Sequence, residues 1–198
     1  SAFDLGAEFL RWEIATAVAG ALLGINPFDE PSVQEAKDAT NAVLNGEVDA
    51  NPETVPAKDA VRQILDWASP GDYLAMLAFT DRNGVNDRSL ENLRDLLGAH
   101  TELATTLGYG PRYLHSTGQL HKGGAANGIY LLIVDSGTDD LEIPGETFTF
   151  GQLFMAQAIG DAITLNRHKR RVVTVDANGD LPELVREMMI NCERMNNE

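Results

Sequence analysis

The order of strand-like and helix-like segments after residue 72 constrains the fold of this chain more than any other feature. Four short apolar segments are predicted to be strands, and Gly128–Asp135 (GIYLLIVD) is the clearest of them. The predicted strands are Tyr73–Thr80, 102–108, Gly128–Asp135 and Arg171–Asp176, and the predicted helices are 88–99, 149–166 and 181–195. The resulting order, β-α-β-β-α-β and then a helix, is that of the split βαβ, ferredoxin-like fold. We therefore predict the α/β class with a ferredoxin-like sandwich, and a Rossmann-like three-layer sheet is the alternative.

Two helices and a polar segment precede this α/β region. The first helix is predicted over 5–23, with Asp4 as its N-cap and Gly24 at its end, and the second over 31–45. Residues 46–58 are polar and contain two prolines, which is typical of a linker, although a surface loop within one compact domain is the alternative. The predicted division is a helical domain at 1–45, the linker at 46–58 and an α/β domain at 59–198.

The composition is strongly acidic, with a formal net charge of −15 over 198 residues. Such a charge opposes binding to nucleic acids and to anionic membranes, because both require a basic face. The chain has one cysteine, Cys192, so it can form no intrachain disulfide, which is typical of the reducing cytoplasm. No apolar run has the roughly 20 residues that a membrane-spanning helix needs. We therefore predict a cytoplasmic protein without nucleic-acid or membrane partners.

Residues 24–37 form the first candidate site. A hydrophobic helix ends at Gly24, a turn with Asn, Asp and Glu follows, and a second helix opens at Pro31. Lys37 lies on the second turn of that helix, so the pattern places one positive charge in a polar pocket between two helices. We interpret this arrangement as a place where a polar or anionic small molecule binds.

The segment 108–124 is the second candidate site. It contains five glycines, which let a backbone approach a ligand closely, and it carries one of only four lysines in the chain. Its side chains that can bind phosphate or hydroxyl groups include His115, Ser116, His121 and Lys122. We predict no metal site, because two histidines without further ligands do not hold a metal ion. Docking of a subunit or domain, and a plain surface loop, are the alternative interpretations of this segment.

Both candidate segments resemble the phosphoglucose isomerase family. The C-terminal signature of that family is matched at fixed spacing by Gly20, Leu22, Leu23, Phe28, Asp29, Val33 and Lys37. Three positions differ, since Glu30, Ser32 and Gln34 stand where the family has Gln, Gly and Glu. The sequence of Gly108–Gly124 (GYGPRYLHSTGQLHKGG) is similar to the isomerase part of bacterial bifunctional transaldolase/glucose-6-phosphate isomerases.

The resemblance implies an enzyme that interconverts glucose 6-phosphate and fructose 6-phosphate without a cofactor. It gives Lys37 the ring-opening and substrate-positioning role of the signature lysine. Together with the glycine-rich segment, it makes the following residues candidates for substrate binding: Glu30, Gln34, His115, Ser116, His121 and Lys122.

The same resemblance implies that other parts of the enzyme lie upstream. The family's phosphate site, glutamate base and ring-opening histidine have no matching motif here. We therefore expect a C-terminal portion that contributes Lys37 and does not catalyse alone. Its predicted partners are a sugar phosphate, the upstream isomerase and transaldolase domains of the same chain, and a second copy in a homo-oligomer. The alternative is a non-catalytic interaction or oligomerisation domain of a bifunctional sugar-phosphate enzyme.

Overall fold

The chain divides into two compact units, Ser1–Pro31 and Ser32–Glu198. The structure is a computed structural model, and it describes residues 2–29, 31–137 and 140–195. Within these described ranges, no helix combines the length and the apolar character needed to cross a membrane.

The first unit is a long helix followed by a tight turn. Helix α1 spans Ala2–Leu23, so it begins earlier than predicted, and Asp4 lies in its first turn and is not its N-cap. Gly24 ends the helix in the left-handed region, with φ of 69°, and the amide of Ile25 donates to the carbonyl of Gly20 at 3.0 Å. Pro27 then folds back on the helix, since a Cβ at Gly20 would lie only 2.5 Å from its ring. A side chain at position 20 would therefore displace the turn.

The second unit is built on a four-stranded parallel sheet. Its strands are β1 Tyr73–Phe79, β2 Ala104–Tyr109, β3 Gly128–Val134 and β4 Arg171–Asp176, in the spatial order β2-β1-β3-β4. Tyr73 lies opposite Ala104 of β2 and Gly128 of β3, which fixes the register of both central pairings. The predicted α/β class is confirmed. The predicted ferredoxin-like topology is wrong, because the pairings between the four strands are all parallel. The sheet has the Rossmann-like arrangement that was the alternative prediction.

The predicted helices of the second unit are present, and two short helices are added to them. They are α2 Pro31–Leu44, α3 Ala57–Trp67, α4 Gly84–Thr101, α5 Gly118–Gly123, α6 Phe150–Arg167 and α7 Leu181–Met195. A 3₁₀ helix, Arg112–His115, and the short helix α5 occupy the segment that was predicted to be a long loop. The sheet is parallel because this segment carries the chain back across β1, so that β3 runs in the same direction as β2.

Helices cover both faces of the sheet. Helices α3, α4 and α7 pack on one face, and α6 packs on the other together with the 3₁₀ helix. The central strands are buried on both faces, which explains why β3 is apolar at every position. A capping box formed by Thr149 and Gln152 starts α6 close to the predicted beginning of this helix.

The segment 46–58 belongs to the second unit. The amide of Val55 donates to the carbonyl of Thr174 at 2.9 Å, so this segment runs beside the edge strand β4. Along the chain, the boundary between the two units lies between Pro31 and Ser32, whereas the boundary predicted from the sequence lies in 46–58. Helix α2 is consequently part of the α/β unit, which brings Lys37 into the same unit as residues 108–124.

Candidate functional site

A cavity of about 310 Å³ in the second unit is lined by both candidate segments. Helix α2 contributes Lys37 and Asn41, the segment 108–124 contributes His115 and Lys122, and α6 contributes Gln157. The remaining lining residues are Ser32, Val33, Ala36, Thr40, Leu114, Gly118, Gln119 and Leu153. The tertiary structure therefore joins stretches of sequence that lie far apart along the chain.

Close packing holds α2 over α6 at this cavity. A Cβ at Gly160 of α6 would lie 3.0 Å from both the amide nitrogen and the hydroxyl of Thr40, so the two helix backbones are in contact there. The amide of Ser32 donates to Gln119 Oε1 at 3.3 Å, which ties the start of α2 to α5. Lys37 is exposed, at the rim of the cavity, where its ammonium group is available to a ligand.

The inner wall of the cavity contains a buried ion pair. Lys122 Nζ lies 2.5 Å from Asp161 Oδ1, and the two residues are only 2% and 1% exposed. The hydroxyl of Tyr113 donates to the other carboxylate oxygen, Oδ2, at 2.5 Å. Burial and the neighbouring Asp161 carboxylate raise the pKa of Tyr113 well above its ordinary value, so this phenol stays protonated. Such a group can donate a fixed hydrogen bond but is not a base.

His121 lies beneath the cavity and does not line it. Its Nδ1 is 3.1 Å from the hydroxyl of Tyr73, and its carbonyl accepts a hydrogen bond from Tyr130 at 3.1 Å. Burial lowers the pKa of His121 to about 4; the Asp161 carboxylate opposes this shift and the Lys122 ammonium adds to it. His121 is therefore a neutral core residue at physiological pH.

The structure brings together only some of the predicted site residues. Lys37, His115 and Lys122 line the cavity. Gln34 is exposed and donates to Asp38 at 2.7 Å. Ser116 also lies outside the cavity lining, and its hydroxyl donates to the carbonyl of Tyr113 at 3.2 Å. Glu30 lies outside the described residues.

Two polar residues of the site were missing from the sequence prediction. Gln157 adds an amide group to the lining beside that of Gln119, and Asp161, behind the lining, pairs with Lys122. A signal for Asp161 exists in the sequence, because it follows Ala158, Ile159 and Gly160 on the buried face of α6. A carboxylate on an apolar helix face requires a buried partner, although the pattern does not show which one.

The charge of the cavity contrasts with that of the chain. Among the described residues, its lining contains Lys37, Lys122 and His115 but neither aspartate nor glutamate, although the net charge of the chain is −15. Elsewhere in the described ranges, no group of three or more His, Cys, Asp or Glu side chains is placed to hold a metal ion. The arrangement suits recognition of a polar or anionic ligand by hydrogen bonds and positive charge.

A second crevice lies at the carboxyl ends of β1 and β3, where open α/β sheets usually bind ligands. It has a volume of about 290 Å³ and is lined by Asp81 and Asp135. The Asp135 carboxylate accepts hydrogen bonds from the Thr80 hydroxyl at 3.3 Å and the Gly179 amide at 2.7 Å. Two carboxylates disfavour an anionic ligand here, so the cavity beside α2 is the better candidate site.

Fold and site together define an α/β protein with a parallel four-stranded sheet and a basic cavity on one face. No protein-family model matches the chain, and no curated protein matches it either. The crystal structure of a hypothetical protein from Thermus thermophilus is similar, with a TM-score of 0.54 and 18% sequence identity over 82% of this chain. The chain spans 44% of that protein. At this identity the similarity shows the fold alone.

Proposed function

We propose that this chain is the C-terminal part of a glucose-6-phosphate isomerase and that it contributes Lys37 to the active site. The observation that supports this proposal best is the single cavity lined by Lys37 and Lys122. These two lysines come from the two segments that carry the resemblance to the isomerase family. The substrate is a sugar phosphate, and the reaction requires no cofactor.

Lys37 has the properties needed for the proposed role. Aldose–ketose isomerisation requires ring opening, proton transfer between C1 and C2, and stabilisation of an enediolate. An exposed ammonium at the cavity rim can hydrogen bond to a ring or chain oxygen and offset the negative charge that develops on it.

The catalytic base is expected from another part of the enzyme. No carboxylate lines the cavity in the part of the chain that the structure describes, and the buried Asp161 contacts Lys122 and Tyr113. The chain alone is therefore expected to bind substrate without turning it over.

The test is isomerase turnover in the longer protein that contains this chain, measured for wild type and Lys37→Ala. Loss of a positioned charged group should lower kcat by about 10² to 10⁴. Lys58→Ala is the matched control, since Lys58 is an exposed helix lysine on the opposite face of the sheet. A Lys37→Ala enzyme that keeps wild-type turnover, or turnover by the 198-residue chain alone, would contradict the proposal.

A second candidate function is an interaction or oligomerisation module, and the first unit favours it. Large apolar side chains are more than half exposed along this unit: Leu5, Phe9, Leu10, Trp12, Ile14, Val18, Leu22, Leu23, Ile25 and Phe28. A helix that is apolar around most of its circumference is usually buried in a larger assembly.

Light scattering after size exclusion tests this candidate. Wild type should associate at micromolar concentration, and Phe9→Glu/Trp12→Glu should be monomeric with unchanged isomerase turnover in the longer protein. Monomeric wild type would exclude self-association.

A further inference from the structure

The charge of Lys122 is already compensated before any ligand enters the cavity. Its ammonium lies 2.5 Å from the Asp161 carboxylate, and both residues are buried. Because water is excluded, this carboxylate cancels much of the positive field that Lys122 would otherwise project into the cavity. The inner wall therefore differs from the rim, where Lys37 is exposed.

The ammonium nevertheless keeps donors for a ligand. It has three N–H groups, and its close ion pair with Asp161 Oδ1 does not have the geometry of a hydrogen bond. In the part of the chain that the structure describes, we find no other acceptor near Nζ. Gly118 leaves this side of the ammonium uncrowded, since a Cβ there would approach Nζ to 3.8 Å. The remaining donors consequently face the cavity that Lys122 lines.

We propose that Asp161 makes the inner wall of the cavity a subsite for uncharged oxygen atoms, the hydroxyl or carbonyl groups of a sugar, and not for phosphate. An uncharged oxygen accepts the hydrogen bonds of Lys122 without approaching Asp161 unfavourably. A phosphate group in the same place would meet a carboxylate a few ångströms behind the ammonium. The amide groups of Gln119 and Gln157, which also line the cavity, suit hydroxyl groups in the same way.

The identity of the ligand as a sugar depends on the proposed isomerase function, whereas the preference against phosphate depends only on the buried pair. Asp161 is a specificity-determining residue in this proposal, and it acts through Lys122. Replacing it by asparagine keeps the shape of the side chain and an acceptor for Tyr113, but removes the compensating charge.

The experiment measures binding of inorganic phosphate and of glucose 6-phosphate to the 198-residue chain by calorimetry or NMR titration. Asp161→Asn should tighten phosphate binding by at least about tenfold, because a nearby like charge has been removed. Asp66→Asn is the control, since it makes the same change of net charge on α3, across the sheet from the cavity. It should leave phosphate binding within about twofold of wild type.

The double variant Lys122→Gln/Asp161→Asn keeps the test decisive if Asp161→Asn does not fold. The inner wall of this variant is uncharged, so its affinity for phosphate should equal that of wild type. Its affinity for glucose 6-phosphate should be about fivefold lower, because the ammonium donors are lost. A tenfold loss of phosphate affinity in the double variant would show that Lys122 binds phosphate and would overturn the proposal. A folded Asp161→Asn protein with unchanged phosphate affinity would overturn it as well.

The two proposals fail in different ways. Absence of glucose 6-phosphate binding to wild type refutes the sugar assignment, whereas the isomerase function is refuted by the turnover of Lys37→Ala in the longer protein. The phosphate comparison between wild type and Asp161→Asn still decides whether Asp161 sets the charge of the inner wall.

Discussion

At the scale of single residues, the second unit groups ionisable side chains beneath one cavity. Tyr113, His121, Lys122 and Asp161 are all buried, and each would be costly to bury alone. The Tyr113 hydroxyl donates to one oxygen of the Asp161 carboxylate, and the Lys122 ammonium compensates its charge, although the other oxygen accepts no hydrogen bond. Their energetic contributions are therefore coupled, and single substitutions are expected to be more harmful than paired ones.

Lys122→Gln should destabilise the protein by about 3 kcal/mol, because it leaves the Asp161 carboxylate buried without a counter-ion. The double variant Lys122→Gln/Asp161→Asn should recover most of this loss, to within about 1 kcal/mol of wild type. Urea unfolding measures both values, with the exposed Lys58→Gln as the control. Equal destabilisation by the single and double variants would show that the pair is not coupled.

His121 gives the protein a pH-dependent stability. Its pKa is lowered to about 4 in the folded state, whereas an unfolded histidine has an ordinary value near 6.5. Between these values the unfolded chain binds a proton that the folded protein does not. The contribution is therefore complete above about pH 6.5 and decreases as the pH falls towards 4.

The expected loss between pH 6.5 and pH 4 is up to about 3 kcal/mol. Unfolding free energies of wild type and His121→Gln over this range isolate it, since the variant should lack this part of the slope. NMR of the imidazole should show that His121 remains neutral at pH 5. Protonation of His121 near pH 6.5 would contradict the assignment.

At the scale of elements, the contact between α2 and α6 decides whether the cavity exists. Gly160 permits this contact, because its missing Cβ leaves room for the backbone of α2 at Thr40. The apolar cluster of Val43, Ala156 and Ile159 extends the same contact towards the end of α2. The position of Lys37 relative to Lys122 therefore depends on a glycine in another helix.

Gly160→Val should displace α2 and cost about 1 to 3 kcal/mol, because the atoms that it meets include the backbone of Thr40 and Ala39, which cannot rotate away. Thermal unfolding measures the loss, and sugar-phosphate binding should weaken with it. Gly6→Val is the matched control, since nothing lies within 4 Å of a Cβ at Gly6 of α1. Its effect should stay within about 0.5 kcal/mol. Similar melting temperatures for the two variants would argue against a tight contact at Gly160.

At the scale of the whole molecule, the parallel sheet sets the distribution of stability. Strands β1 and β3 lie at its centre, and β3 is buried at every position. β2 is an edge strand with no fully buried residue. The centre of the sheet can exchange its amide protons only through global unfolding, whereas the edge can open locally.

Native-state hydrogen exchange should therefore find the slowest amides in β1 and β3, with faster exchange in β2 and α2. Leu131→Ala should lower the opening free energy of the slowest amides by the full loss in stability, which is about 2 to 5 kcal/mol for a buried leucine. Exchange in β2 as slow as in β3 would show that the sheet unfolds as one block.

The sequence by itself determined the α/β class and most helix and strand positions, whereas the role of Lys37 stays a prediction. These features depend on neighbours within a few residues, because helix caps and hydrophobic periodicity are local. The short helices within 112–123 were not predicted, since short glycine-containing helices lack a periodic signal. Without them the segment between β2 and β3 was interpreted as a loop, and the order of elements indicated a ferredoxin-like fold. Only the tertiary structure decided the strand order, the ion pair of Lys122 with Asp161, and the convergence of Lys37 and Lys122 on one cavity. Each of these depends on contacts between residues far apart in sequence, and local pattern does not encode which distant partners meet.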